Sequence, residues 1–129
     1  MIAIDANAVV AMLIDDAELG SASRGMYTKH DFVAPDLLPY EFASVLRKLC
    51  RLGKVTPRAA EHALSDLRLI RLSAVPFGDI AERIWQLRDN LSAYDAAYVA
   101  VAELFGVALL TFDNRIRRAA GPSCDFVDV

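Results

Sequence analysis

Four acids in this chain stand where carboxylates can do chemistry: Asp5, Glu41, Asp95 and Asp113. Asp5 ends a short apolar run, Ile2-Ala3-Ile4, and Asp113 follows Ala108-Leu109-Leu110-Thr111 by two residues. Both runs read as buried strands. In open α/β sheets ligands gather beyond the carboxyl ends of the strands, so both aspartates belong to the functional edge. Glu41 and Asp95 fall in the first turns of two expected helices, where free amides and the positive end of the dipole favour a carboxylate. Four carboxylates at one point repel one another strongly. A divalent cation removes that cost, and an all-oxygen ligand set selects Mg²⁺ or Mn²⁺ over Zn²⁺. The two histidines, His30 and His62, lack metal-site spacing. The chemistry that suits such a site is phosphodiester hydrolysis, with one cation activating water and a second, if bound, steadying the leaving oxygen.

Each acid also has an ordinary reading. Asp5 is a good N-cap for a helix beginning at Ala6. Asp95 offsets a helix dipole. Glu41 suits an exposed helix surface, and Asp113-Asn114 is a common turn pair. The set, rather than any member, carries the metal-site reading.

The elements that must position these acids follow from periodicity. Ile2–Ile4 and Phe32–Ala34 are short strands, the second stopped by Pro35. Helices are expected from Ala6 to Ile14, from about Ala17 to Tyr27, and from Leu38 to Leu52 with Pro39 in its first turn. Phe42, Val45, Leu46, Leu49 and Cys50 make one apolar stripe on the third. Thr56-Pro57 starts a further helix to about Leu69. Ile70–Val75 reads as a strand, Phe77–Leu91 as a helix, and Ser92 caps a helix that runs to Phe105 and closes at Gly106. Val107–Leu110 is a strand, Ile116–Ala120 a short helical turn, and Phe126-Val127 a last strand. Alternating strands and helices give the α/β class with a mainly parallel sheet. Strand order is not fixed by this pattern.

With 129 residues, 55% of them hydrophobic, the chain supports one domain, 1–129, with a real core. No apolar run approaches the roughly 20 residues of a membrane span. Cys50 and Cys124 show no Cys-x-x-Cys spacing and read as packed free thiols. The absence of a basic leader before Asp5 and the low cysteine content point to a cytoplasmic protein. The net charge of −3 argues against bulk binding of a polyanion. Setting aside four metal-holding acids leaves thirteen acids against fourteen bases, so an RNA substrate is not excluded.

The strings around the acids resemble those of the PIN-domain ribonucleases, and more narrowly the VapC-type toxins of bacterial toxin–antitoxin pairs. Met1-Ile2-Ala3-Ile4-Asp5-Ala6-Asn7 is similar to the first family motif, with Asn7 supporting Asp5. Pro35-Asp36-Leu37-Leu38-Pro39-Tyr40-Glu41 is similar to the second, and Leu91-Ser92-Ala93-Tyr94-Asp95-Ala96-Ala97 to the third, opened by Ser92. Leu109-Leu110-Thr111-Phe112-Asp113 resembles the fourth, with Thr111 supporting. The resemblance covers nearly the whole chain in order. It implies a three-layer α/β/α domain and Mg²⁺- or Mn²⁺-dependent endoribonuclease activity on structured RNA (tRNA or ribosomal RNA). It also implies homodimerisation and inhibition by a VapB-type antitoxin. The four acids are the implied metal ligands and catalytic residues.

Two basic groups are candidate phosphate contacts: Arg47, Lys48, Arg51 and Lys54, and Arg115, Arg117 and Arg118. Solvation of a helix face is the plainer reading of both. Asp36 is expected to cap, Trp85 and Tyr98 to pack, and Tyr94 to approach substrate. Leu19, Met26, Leu64 and Leu67 are candidates for dimer or antitoxin contact. A phosphatase with an aspartyl nucleophile needs Asp-x-Asp, whereas Asp5-Ala6-Asn7 lacks the second acid. A PIN-fold binding module without catalysis is the other alternative, and the complete acid set argues against it.

Overall fold

The computed structural model describes residues 1–14 and 29–128. The helix expected from Ala17 to Tyr27, with Leu19 and Met26, lies outside the described residues.

Strand β1 (Ile2–Ile4) leads into helix α1 (Ala6–Leu13). Strand β2 (Phe32–Pro35) is followed by α2 (Leu38–Arg51) and α3 (Pro57–Asp66). Strand β3 (Leu72–Val75) precedes α4 (Ala81–Gln86) and α5 (Ala93–Phe105). Strand β4 (Leu109–Leu110) and α6 (Asn114–Arg118) come last. The sheet order is β3-β2-β1-β4, and every pair is parallel. Parallel strands need crossovers, and these are right-handed almost without exception. The chain steps outward from β1 to β3 and then reverses to β4, so the helices before and after β3 fall on opposite faces. The contacts agree: α1, α2 and α3 pack on one another, whereas α4 packs on α5, which lies against β1, β2 and β4. This is an α/β/α arrangement with a parallel central sheet.

The inner strands are covered on both faces. Ile2, Ala3, Ile4, Phe32, Val33 and Ala34 are all buried, the pattern of a two-sided parallel sheet. Strand β3 is an edge and leaves Ser73 and Ala74 exposed. Thr56 caps α3 by accepting from the Ala59 amide at 3.1 Å. Gly106 closes α5 at φ +63°, a left-handed conformation open to glycine at little cost.

Several boundaries differ from expectation. Phe77–Leu91 is not one helix: Phe77–Asp79 forms a 3₁₀ turn, and α4 begins only after Ile80. Ile80, Ile84 and Leu87 are buried, and Trp85, expected in the core, is 68% exposed with the Arg88 guanidinium 4.7 Å from its ring centre. The last strand is a single bridge between Leu109 and Phe126, held by the Leu109 amide on the Asp125 carbonyl and the Val127 amide on the Leu109 carbonyl. Asp36 makes no capping bond, since Leu37 is the N-cap of α2 and offers no side-chain acceptor. Among the described residues, no helix is long and apolar enough to cross a membrane.

Candidate active site

The order β3-β2-β1-β4 makes the β1/β4 pair the switch point of the sheet, where a crevice opens beyond the strand ends. The register Ile4↔Leu110 brings Asp5 and Thr111 together there. Asp5 is 4% exposed. Its Oδ1 accepts from the Ala8 amide at 2.8 Å, capping α1, and its Oδ2 accepts from the Thr111 hydroxyl. The Asp5 pKa is raised to about 6: burial is the largest cause, the two hydrogen bonds oppose it, and the charges of Asp113 and Asp95 add to it. Thr111 is fully buried, and its Oγ1 also accepts from the Asp113 amide at 3.0 Å. One hydroxyl therefore ties the end of β1 to the turn after β4.

Helix α2 carries Glu41 in its first turn. The side chain is half-buried, and its Oε1 is buried without a hydrogen-bond partner. Burial raises the Glu41 pKa, and the charges of Asp95 and then Asp5 add to the rise. Helix α5 supplies Asp95, held in its first turn by Ser92, whose Oγ accepts from the Asp95 amide at 3.1 Å. Asp5, Glu41 and Asp95 thus come from three elements and lie within one another's fields.

Asp113 is turned differently. It caps α6 by accepting from the Arg115 amide at 2.9 Å, and it pairs with the Arg115 guanidinium at 2.7 Å. The Arg115 hydrogen bond holds the Asp113 carboxyl below the usual range. Among the described residues, no three carboxylate, imidazole or thiol side chains stand already grouped to hold a metal ion. The donor set still suits a hard cation. It is all oxygen, the charges of Asp5 and Asp95 bear on Glu41, and it includes a buried Glu41 oxygen without a partner. The Arg115 side chain on Asp113 is 82% exposed and free to swing away.

An open cleft of about 590 Å³ runs from this edge between α1 and α2. Asn7 and Asp113 line it with Val10, Leu49, Phe112 and Lys54. Of the basic candidates, Arg47, Lys48, Arg51, Lys54, Arg115 and Arg118 are exposed. Arg117 is engaged inside the fold instead. It donates to the Thr111 carbonyl at 3.1 Å and the Val127 carbonyl at 3.2 Å, and lies 5.3 Å from the Phe126 ring centre.

Tyr94 is exposed beside Asp95, and the Tyr98 side chain packs as expected. The Tyr98 hydroxyl, which sequence reasoning did not place at the site, is buried among the acids with no acceptor for its hydrogen. The signal for it is spacing: Tyr98 follows Asp95 by three residues, which puts both on one helix face.

The PIN domain family model matches residues 2–122. Ribonuclease VapC9 of Mycobacterium tuberculosis is 36% identical over 124 residues, 96% of this chain and 94% of that protein. Among solved structures, VapC20 of M. tuberculosis, described as a sarcin-ricin loop cleaving toxin, superposes with a TM-score of 0.70 at 20% identity, covering 100% of this chain and 98% of that one. VapBC2 of Rickettsia felis, solved on a DNA fragment from its promoter, gives 0.67 at 14% identity and covers 98% of each chain. The chain belongs to the PIN domain family, in its VapC-type branch.

Proposed function

We propose that this chain is a metal-dependent endoribonuclease toxin that hydrolyses phosphodiester bonds in structured RNA, tRNA or ribosomal RNA. The observation that carries the reading is the meeting of Asp5, Glu41 and Asp95 from three elements at the switch point of the sheet. Asp5, Glu41, Asp95 and Asp113 hold the ion, Mg²⁺ or Mn²⁺. When bound, it polarises the phosphodiester and lowers the pKa of water. The chain's own residues do the rest. Thr111 and the Ala8 amide fix both oxygens of Asp5. Ser92 sets the helix turn that presents Asp95. Asn7, at the mouth of the cleft, supports the edge through which substrate enters. Carboxylate oxygens not spent on the ion align the attacking water. Arg47, Arg51, Arg115 and Arg118 are exposed to meet phosphates.

The partners in this reading are the RNA, a VapB-type antitoxin and a second copy of the chain, in the cytoplasm. The antitoxin is supported by the VapBC2 complex among the solved relatives. A second reading, a PIN-fold binding module without catalysis, is favoured by the turn of Asp113 toward Arg115. One experiment separates the two. RNA ends are sequenced after induced expression of the wild type and of Asp5→Asn, and cleavage by the purified protein is followed in EDTA and after adding Mn²⁺ or Mg²⁺. Discrete new ends confined to the wild type, with cleavage lost in chelator and restored by metal, are expected. Full cleavage by Asp5→Asn, or cleavage that persists in chelator, overturns the proposal.

A further inference from the structure

Tyr98 is 2% exposed, and its buried hydroxyl meets no acceptor for its hydrogen; the Ala6 backbone amide beside it can only donate to the phenol oxygen. A buried hydroxyl whose hydrogen finds no acceptor is unfavourable, because it has given up its bond to water. Phenylalanine would fill the same space without that cost. The hydroxyl's surroundings are specific. After burial, the causes that raise its pKa are the charges of Glu41, then Asp5, with Asp95 also contributing. A phenol so placed stays protonated and can only gain by donating its hydrogen. The other orphaned buried side-chain oxygen found among the described residues is Glu41 Oε1, an acceptor. A donor and an acceptor are thus both unsatisfied at the same cluster, on two helices, α5 and α2.

We propose that Tyr98 is a positioning residue: its hydroxyl donates to the Glu41 carboxylate when that side chain turns to hold a divalent cation, and so fixes the carboxylate's orientation. The inference rests on the metal-site reading above. A carboxylate has about four lone-pair sites, so the same group can meet a cation and accept from the phenol. In the metal-free protein the two groups stay apart, because a carboxylate free of the ion has no reason to adopt the ligating rotamer. Loading then satisfies both orphans together, which makes the hydroxyl a contributor to metal affinity and not to the stability of the free protein. Hydrogen-bond partners of ligands commonly contribute 10- to 100-fold in affinity.

The test is Mn²⁺ titration of the whole chain by calorimetry, with melting temperatures measured in EDTA and in Mn²⁺, for wild type, Tyr98→Phe, Glu41→Gln and the double variant. Tyr98→Phe is expected to melt in EDTA at or above the wild type, and to bind Mn²⁺ roughly tenfold more weakly. The double variant should show no further loss beyond Glu41→Gln. Unchanged Mn²⁺ affinity in Tyr98→Phe, while the wild type binds, overturns the assignment and leaves the metal site standing. An equal additional loss in the Glu41→Gln background overturns it too, since the hydroxyl would then act elsewhere. A wild type that takes up no Mn²⁺ overturns the metal-site reading and this inference with it.

Discussion

The Asp5 carboxylate is nearly fully buried, and both its oxygens serve the fold as hydrogen-bond acceptors. Burial outweighs its hydrogen bonds and holds its pKa at about 6, against 3.8 for a free aspartate. An acid with a raised folded pKa adds stability below its unfolded value and loses that stability as pH rises through the folded one. The metal-free protein should therefore weaken between about pH 4 and pH 7, by about 2–3 kcal/mol from this group. Asp5→Asn keeps a capping acceptor for Ala8 and removes the charge. Urea unfolding in EDTA across that range should show the decline in the wild type and not in the variant, with the variant more stable at pH 7. A variant that is less stable at pH 7 contradicts the clustering of like charge around Asp5.

Among the described residues, a second side-chain link between elements lies away from the acids. Arg83 of α4 donates to Glu103 of α5 at 2.6 and 3.0 Å and to the Gly121 carbonyl at 2.8 Å. Glu103 also accepts from the Ser123 amide and hydroxyl, both at 2.9 Å. The clamp holds the segment that then bridges Leu109 through Phe126, and so braces β4, the strand that leads into Thr111 and Asp113. Glu103→Ala removes the acceptor that joins Arg83 to Ser123; because these donors reach water, the cost should be about 1 kcal/mol or less. Hydrogen exchange should quicken at the Leu109 and Val127 amides more than in α1; uniform quickening would mean that the clamp does not act through β4. None of this was legible in the sequence, because Arg83 and Glu103 are twenty residues apart and only the packing of α4 on α5 joins them. The short acid-bearing elements were legible, because Ile2–Ile4 ends directly on an acid and Ser92 marks the start of α5. Asp113 was legible as a strand-end acid but not as the partner of Arg115, since a turn's side-chain pairing depends on rotamers. Trp85 was misplaced on residue type alone: Ile80, Ile84 and Leu87 recur at four- and three-residue spacing and take the inward face, which turns Trp85 outward.

At the scale of the whole molecule, the proposed RNA substrate would have to meet a chain of net charge −3 through local patches. Among the described residues, Arg47, Lys48 and Arg51 on α2 form one exposed patch, and Arg115 and Arg118 on α6 another. Arg117 sits among the second group in sequence, but its guanidinium belongs to the C-terminal segment through Thr111 and Val127. Neighbouring arginines should therefore separate by assay. With cleavage suspended by chelator, RNA binding can be followed by anisotropy over a range of salt concentrations. Each phosphate contact contributes about 0.7–0.9 to the slope of log affinity against log salt. Arg118→Ala should reduce the slope by about one such contact and leave the melting temperature unchanged. Arg117→Ala should lower the melting temperature, because it frees two carbonyls and uncovers Phe126. An Arg118 variant with the wild-type slope would move the phosphate contacts to the α2 patch. There Arg47 and Arg51 lie four residues apart on one helix face, a spacing that can follow a single backbone strand.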